Sequence, residues 1–170
     1  PADPGAGDMT LPIPTVQLDL LKALVSLLGN LPDVNVSFGE PRALQSGDTL
    51  AVGVTDPEAA GKSSAASSTI TWGTSMTEDG YAESGEVMLA AVSTSGGNDL
   101  TEVADRVYRI LGEVVAAIRS NYAATNGQNL LGVAGLWELR LSAVDLPVLA
   151  PGEYGATAYL LFRLAYQALT

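Results

Sequence analysis

The chain contains neither cysteine nor histidine. Without cysteine no disulfide can form, and without either residue there is no thiolate or imidazole metal site. The redox state of the compartment stays open. The lack of histidine removes the commonest general base and excludes acyl transfer through a Ser–His pair. An enzyme would have to work through carboxylates, lysine or tyrosine alone. Basic residues are few: 8 Lys and Arg stand against 19 Asp and Glu, a net charge of −11. That balance argues against binding to a nucleic-acid backbone, which needs clustered Lys and Arg, and against an anionic membrane surface. Long apolar runs are missing too. The most apolar stretch, Leu18 to Leu31, is interrupted by Asp19 and Lys22 and is too short to cross a bilayer. Pro1 to Asp8 is small, acidic and rich in Pro and Gly, unlike a basic-then-apolar targeting segment. The expectation is a soluble chain with no membrane partner.

What is present is enough apolar material for one core: 47% of 170 residues are hydrophobic. The clearest element is a helix after Asp99. Leu100, Val103, Val107, Ile110, Leu111, Val114 and Ile118 recur at helical spacing, with Glu102, Asp105, Arg106, Arg109, Glu113 and Arg119 on the other faces. Asn98 or Asp99 can cap it, and Glu102 stands where a capping box needs it. Residues 1–14, with four prolines, read as an extended arm ahead of a single domain over 15–170. Thr15 can cap a first helix reaching Leu28, with Val16, Leu20, Leu24, Leu27 and Leu28 inward, before Gly29, Asn30 and Pro32 stop it. Strands are expected at Asn35–Phe38, Asp48–Asp56, Thr69–Met76, Glu83–Ser93, Leu136–Val144 and Ala156–Ala168. Leu50, Val52 and Val54 should share one face, as should Trp137, Leu139 and Leu141. Glu58–Ser68, Glu78–Gly80, Ala123–Gly135 and Leu146–Glu153 read as loops or turns. The order α-β-β-β-β-α-β-β is an α+β arrangement, with two helices flanking a mostly antiparallel sheet. The late strands carry apolar residues on both faces, which suits a sheet covered twice or built into an assembly.

No motif demands a reaction. Gly61-Lys62-Ser63 resembles the end of a phosphate loop, but the Gly required five residues earlier is Asp56, which would repel a phosphate. Asp56 with Glu58 and Glu78 with Asp79 lack the ligand alternation of a calcium loop. Gly73-Thr74-Ser75 lacks the second Gly of a nucleophile elbow, and Asn35-Val36-Ser37 fits a glycosylation sequon by chance. Trp72, Trp137, Tyr159 and Tyr166 sit at strand spacing as core aromatics. No cofactor, metal or catalytic residue is expected, and the chain is not read as an enzyme. One segment stands apart. Leu146-Pro147-Val148-Leu149-Ala150-Pro151 places a run of apolar residues in a rigid, wet turn, as a contact with another subunit would. Pro147, Val148 and Leu149, with Pro12 and Pro14 of the arm and the loop residue Lys62, are the candidate interface residues.

The order of these elements resembles the tail terminator proteins of long-tailed, non-contractile bacteriophages, particularly those infecting actinobacteria. The likeness rests on an amphipathic N-terminal helix ahead of a strand ending Val52-Gly53-Val54-Thr55-Asp56-Pro57. It continues through the strand Glu86–Val92 and Ser95-Gly96-Gly97-Asn98-Asp99 into the helix with Arg106, then Leu130-Leu131-Gly132-Val133. It closes on the final hairpin, Gly155-Ala156-Thr157-Ala158-Tyr159-Leu160-Leu161-Phe162. It covers residues 11–170. The loop Tyr122–Asn129 is longer and lacks an acidic residue before the Leu-Gly step, and the arm before Met9 is extra. Membership would imply a hexameric ring at the head-proximal end of the tail tube, assembled in the host cytoplasm and carried in the virion. Its partners would be further copies of itself, the tail tube protein and the head–tail connector or stopper. DNA would pass through the lumen without specific binding, and an acidic lumen would keep phosphates from sticking. Within the same virion the alternative is a head-completion (connector or stopper) protein or a tail-tube protein.

Overall fold

The frame of the molecule is a pair of 15-residue strands, β4 (Tyr81–Ser95) and β7 (Gly155–Leu169), paired antiparallel from Ala82↔Leu169 to Ser95↔Ala156. The structure, a computed structural model, describes residues 15–40, 47–55, 66–72, 81–152 and 155–169, with backbone alone at 71, 72 and 81. Around the central pair lie α1 (Gln17–Leu28), β1 (Val34–Phe38), β2 (Gly47–Val52), β3 (Ala66–Trp72), α2 (Leu100–Thr125), a 3-10 turn at Leu130–Gly132, β5 (Leu136–Val144) and β6 (Val148–Gly152). All seven described strands form one sheet, in the order β1-β2-β4-β7-β5. Two strands share each flank of the long pair. β4 pairs with β3 through its first half and β2 through its second, while β7 pairs with β6 through its first half and β5 through its second. Among the described strands only β1 and β2 run parallel. The fold is α+β, mostly antiparallel, in the expected order with β6 added.

The helices occupy one face. Leu20, Leu24 and Leu28 of α1 and Val103, Val107, Ile110 and Val114 of α2 are fully buried against alternate sheet residues: Leu50, Val87, Leu89, Leu160, Phe162 and Leu164. Each such side chain contributes about 1.5–3 kcal/mol through the area it removes from water. α2 is anchored at its start by Asp99, whose carboxylate accepts from the N–H groups of Thr101 (2.9 Å) and Glu102 (3.2 Å). Glu102 does not close the expected reciprocal box. Its carboxylate takes a salt bridge from Arg106, one turn on, which offers a stronger, charge-assisted partner than a backbone N–H. The helix also runs past Ala123 to Thr125, where Asn126 adopts the left-handed conformation (φ 52°) that ends it. The N-cap of α1 is Val16 rather than Thr15. The Thr15 hydroxyl accepts from the Gln17 N–H (3.3 Å) but donates to Glu83 (2.8 Å).

The opposite face has a small apolar cluster of its own, Ala51, Val54 and Ala90 beneath Met88, Tyr159 and Leu161. Among the described residues, no helix covers it. Val54 was expected beside Leu50 and Val52 but lies here. Gly53 (φ 77°) forms a bulge in which both the Gly53 and Val54 N–H groups donate to Met88 O (2.9 and 3.2 Å), so the alternation reverses after it.

Candidate assembly surface

The largest concentration of exposed apolar residues lies on one flank of the sheet. Half of the large hydrophobics that stand exposed among the described residues fall between 137 and 149: Trp137, Val144, Leu146, Val148 and Leu149. Leu146 is 87% exposed and Val148 60%. The cause in β5 is irregular pairing. Leu136↔Ala168 is followed by Glu138↔Gln167, which leaves Trp137 as an extra residue, and a second shift leaves out Ser142. Trp137 therefore does not join Leu139 in the core as expected; it turns outward, 47% exposed. Of the other aromatics expected inside, Tyr166 is buried and Tyr159 is half-buried on the helix-free face; the side chain of Trp72 lies outside the described residues.

The segment expected as a turn, Leu146–Glu153, is a strand over most of its length. Val148–Gly152 pairs with β7 through Val148↔Tyr159 to Gly152↔Gly155. Its prolines are tolerated because of where they point. The Asp145 N–H donates to Leu161 O (2.9 Å) and the Leu169 N–H to Gly135 O (2.9 Å), whereas the Ala156 N–H donates to Gly97 O (2.8 Å) on the β4 side. Odd-numbered residues of β7 thus turn their backbone groups toward β5 and β6. By the alternation of an antiparallel ladder, Val148 and Ala150 exchange hydrogen bonds with β7, while Pro147, Leu149 and Pro151 face away from it. A proline ring at those positions costs no ladder bond. The free edge of β6 consequently offers three carbonyl groups and a single N–H, that of Leu149. Among the described strands, nothing pairs with it.

Of the six candidate interface residues, Pro147, Val148 and Leu149 come together on this edge. Pro12, Pro14 and Lys62 lie outside the described residues, as do the acidic turn positions Asp56, Glu58, Glu78 and Asp79.

Two buried polar clusters hold the scaffold. Glu83, 1% exposed, accepts from Thr15 Oγ1 (2.8 Å), the Val16 N–H (3.0 Å) and the Tyr166 hydroxyl (2.8 Å), tying the start of α1 to the sheet. Burial, and then the hydrogen bond and charge of Glu83, hold the Tyr166 phenol well above its ordinary pKa. Asp48, 7% exposed, accepts from Ser93 Oγ (2.7 Å) and faces Arg109 (2.5 Å) and Arg106 (3.9 Å), locking α2 onto β2 and β4. The periodicity of α2 placed both arginines off its buried stripe; Asp48 as their anchor had no sequence signal, because the contact joins residues about sixty apart. In both clusters the buried carboxylate is matched by structural partners on neighbouring elements. A shallow polar depression of about 360 Å³ runs between Ser67, Ser84, Glu86, Glu138, Arg140 and Gln167. Its polar groups also have local partners: Arg140 is paired with Glu138 (2.7 Å), and Glu86 accepts from the Ser142 hydroxyl (2.9 Å). Among the described residues no group of three acidic side chains is placed to hold a metal, and no helix is long and apolar enough to cross a membrane. Compared with known protein families and with curated proteins, the chain matches none.

Proposed function

We propose that this chain is a ring-forming structural subunit that caps the head-proximal end of a bacteriophage tail tube, stops its polymerisation and joins it to the head connector. The observation that carries the reading is the β5–β6 flank. An exposed apolar edge strand is a liability for a chain that works alone, and proteins that keep one cover it by pairing or packing. The sequence resemblance supplies what kind of assembly this is. The satisfied polar clusters, and the lack of a convergent site among the described residues, agree with a geometric rather than a chemical role.

The edge also bears on symmetry. Two β6 edges meeting across a two-fold axis would set carbonyls against prolines and exchange few hydrogen bonds. A head-to-tail contact between different patches avoids that conflict, and such contacts close into rings. The acidic balance fits a lumen through which DNA slides without adhering. A head-completion or tail-tube role in the same particle would use a similar subunit, and electron microscopy of particles made without this gene separates them. A terminator predicts overlong tails unattached to filled heads. Tails of normal length beside heads that have lost their DNA would overturn it in favour of a protein on the head side of the joint.

A further inference from the structure

The β6 edge has an unusual hydrogen-bond polarity, and one segment of this chain complements it. In the sequence Met9-Thr10-Leu11-Pro12-Ile13-Pro14, the apolar residues Met9, Leu11 and Ile13 alternate with positions of which two are proline. In an extended strand residues two apart direct their backbone groups to the same side. One edge of this segment therefore keeps all of its N–H groups, at 9, 11 and 13, and the other loses those of 12 and 14. The first edge is rich in donors. The free edge of β6 is rich in acceptors.

Resting on the reading of the chain as a ring subunit, we infer that residues 9–14 of one copy add as an antiparallel strand to β6 of the neighbouring copy, with Leu11 opposite Leu149. In that register Leu11 and Leu149 exchange two hydrogen bonds. The Ile13 and Met9 N–H groups meet the carbonyls of Pro147 and Pro151. Pro12 stands opposite Val148 and Thr10 opposite Ala150, in pairs that require no hydrogen bond. Every outward carbonyl of β6 gains a donor, and the apolar face of the arm covers the apolar residues of the edge. The far side of the added strand carries Pro12 and Pro14, so the ladder ends there and does not recruit a further strand.

The same geometry excludes the arm's own β6 as the acceptor. Thr15 is fixed beside Glu83, and Leu149 lies opposite Ala158, which pairs with Ser93. From Glu83 to Ser93 is ten residues of strand, about 33 Å at about 3.3 Å each. The four residues from Thr15 back to Leu11 span at most about 14 Å. The strand must therefore be exchanged between copies, and an arm passed on from each copy to the next, rather than returned, gives the directional contact that a ring requires.

The chain's lack of cysteine makes the test direct. Thr10→Cys and Ala150→Cys place thiols across a non-hydrogen-bonded pair, where Cα atoms about 4.5 Å apart lie within disulfide range. Oxidising an equimolar mixture of the two single variants should give a 10–150 linked heterodimer, and the doubly substituted chain a covalent ladder up to the full ring. Leu11→Asp with Ile13→Asp should reduce the assembly to folded single subunits with an unchanged circular dichroism spectrum. Rings that assemble normally yet give no 10–150 link would overturn the strand exchange and leave the ring reading standing. A doubly substituted chain that links only to itself would overturn the exchange as well. A wild-type chain that stays a single subunit at every concentration tested, with no 10–150 link in the mixed variants, would contradict both.

Discussion

Tyr166 and Glu83 show how one buried pair fixes the position of a helix. Glu83 is almost fully enclosed, yet each of its oxygens has a donor, so its charge is compensated where it lies. The arrangement has a consequence at high pH. The folded state holds the Tyr166 phenol protonated above its ordinary range, whereas the unfolded chain releases that proton near pH 10. The pair's contribution is thus fully present below pH 10 and is lost as pH rises from there toward the folded-state pKa. Stability should decline by up to about 1.4 kcal/mol per pH unit in that window. Urea unfolding at pH 9, 10 and 11 measures the slope, and Tyr166→Phe should flatten it while lowering stability at neutral pH. Tyr166 was legible as a core aromatic from its strand spacing. Its partner was not, since a glutamate at an inward strand position carries no local sign of what will meet it.

At the scale of elements, the long periodic segments were readable and the irregular ones were not. α2, β4 and β7 each bury a regular stripe or alternation over many residues, so their patterns survive. The errors in which face a strand residue takes arise at single inserted residues. Gly53, Trp137 and Ser142 each break the alternation by one position, and pairing with a distant strand decides where that break falls. β6 was hidden for the opposite reason: Pro147 and Pro151 resemble turn residues, and only an edge position reconciles them with a strand. Crowding between elements yields a prediction. At Gly85 the strands β3, β4 and β7 approach so closely that a Cβ would lie 2.0 Å from Ser67 O and 2.8 Å from the Tyr166 ring. A side chain there cannot be accommodated by moving a flexible tip, because the nearest obstacle is backbone. Gly85→Ala should destabilise the fold by about 3 kcal/mol or more, a value at the upper end for single substitutions. Chemical denaturation of the variant measures it, and a loss below about 1 kcal/mol would mean that β3 is free to shift.

For the whole molecule, the contrast between the two faces and the two flanks is what matters. One face is sealed by both helices, and the other carries a thin apolar cluster that no helix among the described residues covers. One flank presents an edge strand whose side chains are exposed and whose outward N–H groups are mostly replaced by proline rings. The sequence already marked Pro147, Val148 and Leu149 as a contact, from apolar residues in a segment too rigid and too wet to hide them. It could not tell that the segment is a strand, and so could not reveal the hydrogen-bond polarity of its edge. Ring assembly through this flank is the central claim, and native mass spectrometry of the wild type beside the Val148→Asp, Leu149→Asp double variant tests it most directly. The account predicts a closed ring of six for the wild type and single subunits for the variant, with matching thermal melts. A variant that assembles to the same mass as the wild type would contradict it.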